Sequence, residues 1–129
     1  MSARPQASYQ VINTKTHGLI DIGMVIVLIA APFLLGFANG GAAQWVPIGA
    51  AIAIAGVTMV TRFEWGAVGL VPMPMHLMAD VGVGIILAAS PWIFGFAGAV
   101  KWPHVILGLL EIGAAAMTRT QPQKGAMFA

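Results

Sequence analysis

Two histidine–aspartate pairs are the residues of this sequence best suited to chemistry. His17 lies four positions before Asp21, and His76 lies four positions before Asp80, so each pair would share one face of a helix. Ionisable side chains at the start of apolar segments are costly to bury without a partner, which makes them candidates for a function. The two histidines could be axial ligands of a b-type haem, each oriented by its aspartate, or could handle protons or ions.

The aspartates also have a structural interpretation, which the sequence favours. Arg62 and Arg119 each follow an apolar run on the predicted side of the aspartates. A guanidinium group pairs well with a carboxylate. We therefore expect two structural ion pairs, Asp21 with Arg62 and Asp80 with Arg119.

Glu111 is a third candidate functional polar residue beside the two histidines. It interrupts the last apolar run, where the matching position in the first half of the chain is Ile54. A carboxyl group at this depth is expected to face a helix interface, because exposure to lipid would leave its burial uncompensated. It could bond a neighbouring helix as a neutral acid, line a contact between copies of the chain, or belong to a proton or ion path.

Composition places the chain in a membrane. Hydrophobic residues make up 59% of its 129 residues and charged residues 8%, which is too few charges to cover a water-facing surface. With no cysteine, thiolate chemistry is excluded. No phosphate-binding loop, activated nucleophile or metal-ligand cluster is evident, so the sequence predicts no enzyme, no catalytic residue and no metal or cofactor other than the haem alternative. The six basic residues are dispersed over predicted loops, which argues against nucleic-acid binding.

Four apolar runs predict an all-α fold, a bundle of four transmembrane helices. The runs cover residues 18–37, 45–60, 77–96 and 103–117 and would be about 22 to 30 Å long as helices. Each run is apolar on all sides, as expected of helices in lipid. Small residues in the second and fourth runs are expected to let helix backbones approach closely; they are Gly49, Ala53, Gly56, Gly108 and Gly113.

The sequence repeats itself. A shift of fifty-nine positions aligns His17–Asp21 with His76–Asp80, and after a gap of two residues Thr61-Arg62 aligns with Thr118-Arg119. We therefore predict two parallel-duplicated helical hairpins, related by a pseudo-two-fold axis along the membrane normal. The predicted units are a polar tail (1–13), the first repeat (14–62), a linker (63–74), the second repeat (75–119) and a second tail (120–129).

The basic residues also predict orientation. All lysines and arginines except Lys101 fall on one side of a four-span layout, and such residues concentrate in cytoplasmic loops. Both termini are therefore expected in the cytoplasm. The first apolar run lacks a small-residue cleavage pattern and is expected to be retained.

The third apolar run carries a recognisable signature near its end. Pro32 and Pro91 should kink their helices, and Ser90 could bond a backbone carbonyl that proline leaves free. A duplicated two-helix unit containing Ser90-Pro91-Trp92 resembles the SPW repeat family of small bacterial integral membrane proteins, although the first copy reads Ala31-Pro32-Phe33. The resemblance implies fold and location in the bacterial inner membrane. It implies no particular activity.

The sequence favours a non-enzymatic integral membrane protein with a structural, assembly or complex-subunit role. Its expected partners are membrane lipids and either further copies of the chain, with Glu111 near the contact, or subunits of a larger membrane complex. The alternative is a redox (b-type haem) or proton- or ion-handling membrane protein that uses His17, His76 and Glu111.

Overall fold

Four α-helices dominate the computed structural model, which describes residues 6–122. The helices are α1 (Thr14–Leu34), α2 (Ala42–Val60), α3 (Met73–Ile93) and α4 (Trp102–Ala116). Residues 6–122 contain no β-strand beyond two isolated bridges, so the predicted all-α class is confirmed. The outer parts of the two predicted tails, residues 1–5 and 123–129, lie outside the described residues.

The helix ends follow local sequence signals. Asn13 caps α1, its side-chain oxygen accepting a hydrogen bond of 2.8 Å from the Thr16 amide, and Pro74 lies in the first turn of α3 as expected. Gly36 and Gly95 have φ values of +81° and +75°, in the left-handed region where glycine is favoured. These glycines end α1 and α3 before the predicted limits at residues 37 and 96.

The serine of the Ser-Pro-Trp signature compensates for its proline. Pro91 lacks the N–H that would bond the Leu87 carbonyl in a regular helix. The Ser90 hydroxyl instead donates to that carbonyl at 2.7 Å. Ser90 thus bonds the carbonyl that the proline leaves free, and Trp92 beside it is exposed on the outer surface.

The helices pack as two hairpins that also contact each other. Helix α1 packs against α2 and α4, and α3 packs against the same two helices, so α1 and α3 lie diagonally across the bundle. Apolar side chains fill its middle, among them the fully buried Leu28, Ile54 and Leu87. The diagonal placement leaves α1 and α3 facing each other through the centre of the bundle.

The outer surface is apolar, as a membrane protein requires. Helices α1, α2 and α3 are each long and apolar enough to cross a membrane, whereas α4 is a shorter apolar helix of 15 residues, about 22 Å long. Large hydrophobic side chains such as Leu34, Ile52 and Met78 are mostly exposed. The chain is a multi-pass membrane protein.

Short extended segments join the hairpins at one end of the bundle. Ile12, before α1, pairs with Thr118, after α4, and Val71, before α3, pairs with Thr61, after α2. In each case the arginine after the threonine donates its backbone N–H to the extended residue at 2.8 Å. These pairings place a threonine of one hairpin next to the first turn of the other.

A buried histidine–aspartate tetrad as the candidate functional site

The two predicted histidine–aspartate pairs meet at the centre of the bundle. Their spacing within each helix brings His17 Nε2 to 3.1 Å from Asp21 Oδ2, with the same distance between His76 Nε2 and Asp80 Oδ2. The shorter contacts run between the helices, at 2.8 Å from His17 Nε2 to Asp80 Oδ2 and from His76 Nε2 to Asp21 Oδ2. We call these four residues the His/Asp tetrad.

The tetrad is buried inside the protein. Each of its side chains is at most 1% exposed. The two imidazole rings meet edge to face with their centroids 5.4 Å apart, and Phe63 of the linker packs against the His76 ring at 5.3 Å. The N-terminal parts of α1 and α3 thus place two imidazoles and two carboxylates in one buried site.

Two threonines orient the imidazoles. Thr118 Oγ1 lies 2.8 Å from His17 Nδ1, and Thr61 Oγ1 lies 2.8 Å from His76 Nδ1. Each hydroxyl also donates to a carbonyl of its own helix, Thr118 to Ala114 at 2.6 Å and Thr61 to Val57 at 2.5 Å. A hydroxyl has a single proton to donate, so both threonines accept from the imidazole and both Nδ1 atoms carry a proton.

The position of the imidazole protons on Nδ1 determines what each Nε2 atom presents to the carboxylates. In a neutral imidazole with a proton on Nδ1, the Nε2 atom presents a lone pair. An Nε2 lone pair and an ionised Oδ2 atom repel each other at 2.8 Å, so a positive charge must lie between them. The tetrad therefore holds protons or a metal cation in the space between its four inward-facing atoms.

The predicted aspartate–arginine ion pairs are not formed. Both carboxylates turn to the histidines, while the Arg62 guanidinium donates to the Gly69 carbonyl at 3.2 Å and Arg119 donates to the Gln10 carbonyl at 3.3 Å. Both arginine bonds are at the exposed surface, where a guanidinium keeps its hydration. Asp21 and Asp80 lie at the bundle centre, out of reach of that surface.

Glu111 lies inside the chain and not on its outer face. Its side chain is fully buried, and its electrostatic neighbours are Asp80, Asp21 and His17. Within the described part of the chain, neither of its carboxyl oxygens has a hydrogen-bond partner. The prediction that Glu111 faces a helix interface holds, but its proposed place at a contact between copies of the chain is wrong, because α4 turns this residue toward the tetrad.

A side groove reaches the tetrad between α1 and α2. It has a volume of about 250 Å³, and its lining includes Asp21, Thr58, Trp65 and apolar side chains. Among residues 6–122, Asp21 Oδ1 and Thr58 Oγ1 are buried without a hydrogen-bond partner. Trp65 packs so closely on Gly18 that a Cβ there would overlap the indole ring. Two polar side chains with a buried oxygen unpaired within the described residues thus border the groove, and the Trp65 indole lies beside them.

A haem does not fit the arrangement. Ligation by both histidines would place a flat macrocycle between the two Nε2 atoms. Here Asp21 Oδ2 and Asp80 Oδ2 each lie within 3.1 Å of both Nε2 atoms. The space between the imidazoles is therefore suited to protons or to a single ion.

The sequence alone did not identify Thr61, Thr118 or Phe63 as parts of the site. The sequence contains a signal for the threonines, because Thr-Arg occurs at aligned positions in both halves. The arginine of each dipeptide, and not the threonine, was the predicted partner because arginine is charged. His104, also not predicted as a site residue, is buried at the other end of the bundle, where its Nε2 donates to the Ala43 carbonyl at 2.8 Å.

Comparison with known proteins identifies the family. Residues 15–118 match the family model of the SPW repeat domain. The chain belongs to the SPW repeat family. No curated protein and no solved structure matches it. In this SPW repeat protein the signature serine is fourteen residues beyond His76, about 21 Å along α3, so the Ser-Pro-Trp signature and the tetrad occupy different ends of the bundle.

Proposed function

We propose that this SPW repeat protein is a non-enzymatic membrane protein with a structural, assembly or complex-subunit role. The observation that carries the proposal is that the tetrad connects α1 to α3, the diagonal helices of two different hairpins, through contacts of 2.8 Å. Most of the polar atoms of its side chains are directed at one another or at the two threonines. Such a site is suited to holding the hairpins in one arrangement.

The proposal includes an internal duplication. His17 contacts Thr118 as His76 contacts Thr61, and these residues are equivalent in the alignment of the two halves. The pairing of Ile12 with Thr118 has the same counterpart in Val71 with Thr61. Two copies of one unit, related by a pseudo-two-fold axis along the membrane normal, would produce contacts of this kind.

The assembly role concerns the outer surface. We propose that the protein resides in the bacterial inner membrane as a homo-oligomer or as a subunit of a larger complex. With Glu111 in the interior, a contact with another chain would use the exposed apolar faces of the helices. Close packing and interhelical hydrogen bonds would hold such a contact in lipid.

Proton or ion handling is the second candidate function. It is favoured by the three buried carboxyl oxygens that lack a hydrogen-bond partner within residues 6–122, namely Asp21 Oδ1 and both oxygens of Glu111. Unsatisfied polar atoms in a protein interior are uncommon and mark places where a ligand, water or ion belongs. The groove beside Asp21 supports the same idea.

The structural role is tested by removing one charge from the tetrad. Asp80→Asn should lower the free energy of unfolding in detergent by about 3 to 5 kcal/mol, because it leaves a buried partner uncompensated. The control Lys101→Gln removes a charge at the opposite end of the bundle and should change the stability by less than about 0.5 kcal/mol. Thermal unfolding followed by circular dichroism measures both. An Asp80→Asn protein that melts with the parent would refute the structural role.

A further inference from the structure

The geometry of the tetrad is that of a ligand set for one metal ion. We propose that His17 Nε2, His76 Nε2, Asp21 Oδ2 and Asp80 Oδ2 bind a single divalent transition-metal cation such as Zn²⁺, Mn²⁺ or Fe²⁺. This goes beyond the structural role proposed above and does not depend on it. It also departs from the sequence-based expectation of no metal, because two residues on each helix make a site only when the bundle brings them together.

The distances suit such an ion. One ligand atom from each of the four residues can be chosen so that all four lie within 4.8 Å of one another, and adjacent nitrogen and oxygen atoms are 2.8 or 3.1 Å apart. Nitrogen and oxygen ligands bind Zn²⁺ at about 2.0 to 2.2 Å. Two such ligands are about 3 Å apart when they meet at a right angle on one ion, and about 3.4 Å apart at the tetrahedral angle that is usual for Zn²⁺. The side chains would need to move by only a few tenths of an ångström.

The charge of the site also matches a divalent cation. Two ionised carboxylates carry two negative charges, which either two protons or one divalent metal ion would neutralise. A buried site with uncompensated charge would be costly in a membrane. Metal binding would therefore release two protons and leave the net charge of the tetrad unchanged, as is usual when ligands must be deprotonated.

The residues around the tetrad have the arrangement found around metal-bound histidine. A ligating imidazole almost always donates its other N–H to a fixed acceptor. Thr118 and Thr61 are those acceptors, each held in place by a second bond to its own helix. A tetrad held together only by hydrogen bonds between its histidines and aspartates would not require acceptors that fix both Nδ1 protons.

On the side of Asp21, the tetrad offers a metal ion an entry route and one further oxygen ligand. Asp21 Oδ1 has no hydrogen-bond partner in the part of the chain that the structure describes, so this carboxylate can add its second oxygen to the ion. Asp21 also lines the groove between α1 and α2, through which a cation can reach the centre when Trp65 moves. The second carboxylate, Asp80, does not line that groove.

The types of ligand limit which metal ions suit the site. Two imidazoles and two carboxylates are borderline and hard ligands, which suit Zn²⁺, Mn²⁺, Fe²⁺ and Co²⁺. Soft Cu⁺ prefers thiolates and thioethers, and none of the four tetrad residues carries sulfur.

The test measures metal directly. The full-length chain, purified in detergent through a tag without histidine, is stripped with a chelator and titrated with Zn²⁺ and with the coloured probe Co²⁺. We expect one ion per chain, visible Co²⁺ absorption, and a higher melting temperature with Zn²⁺. His17→Gln and His76→Gln should abolish Co²⁺ binding, whereas His104→Gln, a buried histidine outside the tetrad, should retain it.

A second variant separates ligand loss from misfolding. Thr118→Val keeps all four ligands but removes the acceptor of the His17 Nδ1 proton, and loss of such a partner lowers metal affinity about 10- to 100-fold. A folded parent protein that binds neither Zn²⁺ nor Co²⁺ would overturn the proposal. So would unchanged Co²⁺ absorption in both ligand variants, because the bound ion would then lie elsewhere.

Discussion

At the scale of single residues, the two threonines determine what the tetrad can hold. Thr118 and Thr61 are both fully buried, and each directs its only proton to a carbonyl of its own helix. The histidine next to each must therefore donate from Nδ1, which turns Nε2 toward the carboxylates. A hydroxyl that contributes no charge thus controls the protonation pattern of the charged groups.

Replacing one of these hydroxyls should be costly even without metal. Thr118→Val leaves the His17 Nδ1 proton buried with no acceptor, which costs about 1 to 3 kcal/mol. Thr58→Val is the matched control, because the buried Thr58 hydroxyl has no hydrogen-bond partner within residues 6–122, and its removal should be neutral or stabilising. Chemical or thermal unfolding of the chelator-treated proteins distinguishes the two. Equal effects of both substitutions would contradict the proposed orientation of His17.

The sequence predicted the members of the tetrad but not their partners. The spacing of four residues correctly indicated that His17 touches Asp21 and that His76 touches Asp80. The closer contacts, from each histidine to the aspartate of the other half, depend on which helices are diagonal in the bundle. Spacing along one helix does not indicate which helices lie diagonally in the bundle. The predicted topology placed the arginines on the same side of the membrane as the aspartates, so the arginines were the expected partners.

At the scale of helices, α3 and α4 approach more closely than the sequence indicated. A Cβ added to Gly84 would lie 2.7 Å from the Gly108 carbonyl oxygen, and one added to Gly108 would lie 2.6 Å from the Ala88 amide nitrogen. Gly49, Gly56 and Gly113, which were expected to serve the same purpose, have no such neighbour within 4 Å. Small residues are thus a weak signal, because the periodicity of an apolar helix does not reveal which face meets a neighbour.

Substitutions at Gly108 and Gly56 should change the stability of the protein in opposite directions. Gly108→Ala forces the α3 and α4 backbones apart and should destabilise the protein by about 1 to 3 kcal/mol. Gly56→Ala adds a methyl group in open space within a helix and should stabilise by up to about 1 kcal/mol. Thermal unfolding in detergent measures both variants against the parent. Stabilisation by Gly108→Ala would show that the close approach of α3 and α4 does not exist.

At the scale of the whole molecule, the apolar composition predicted the four-helix bundle well. Each helix is near the position of an apolar run, because lipid requires nearly every side chain along a span to be apolar. The helix starts were less accurate. Polar residues such as Thr14 and His17 belong to α1, since the bundle interior, and not lipid, surrounds them.

The distribution of charge predicts how the bundle is oriented in the membrane. Arg62 and Arg119 lie at the tetrad end of the bundle, and Lys101 lies at the other end, just before α4. Because basic residues concentrate in cytoplasmic loops, we expect the linker after α2 in the cytoplasm and the loops after α1 and α3 outside. The exposed positions Ala38, Val68 and Ala99 sample these three segments.

The absence of cysteine from the chain makes single-cysteine labelling a direct test. Ala38→Cys and Ala99→Cys should react with a membrane-impermeant maleimide added to intact cells, whereas Val68→Cys should react only after the membrane is opened. The positions are exposed, so the substitutions should leave stability nearly unchanged. Labelling of Val68→Cys in intact cells would reverse the orientation and place the tetrad end of the bundle outside. A difference between Ala38 and Ala99 would exclude the parallel duplication, because two hairpins that run in the same direction must present their loops on one side.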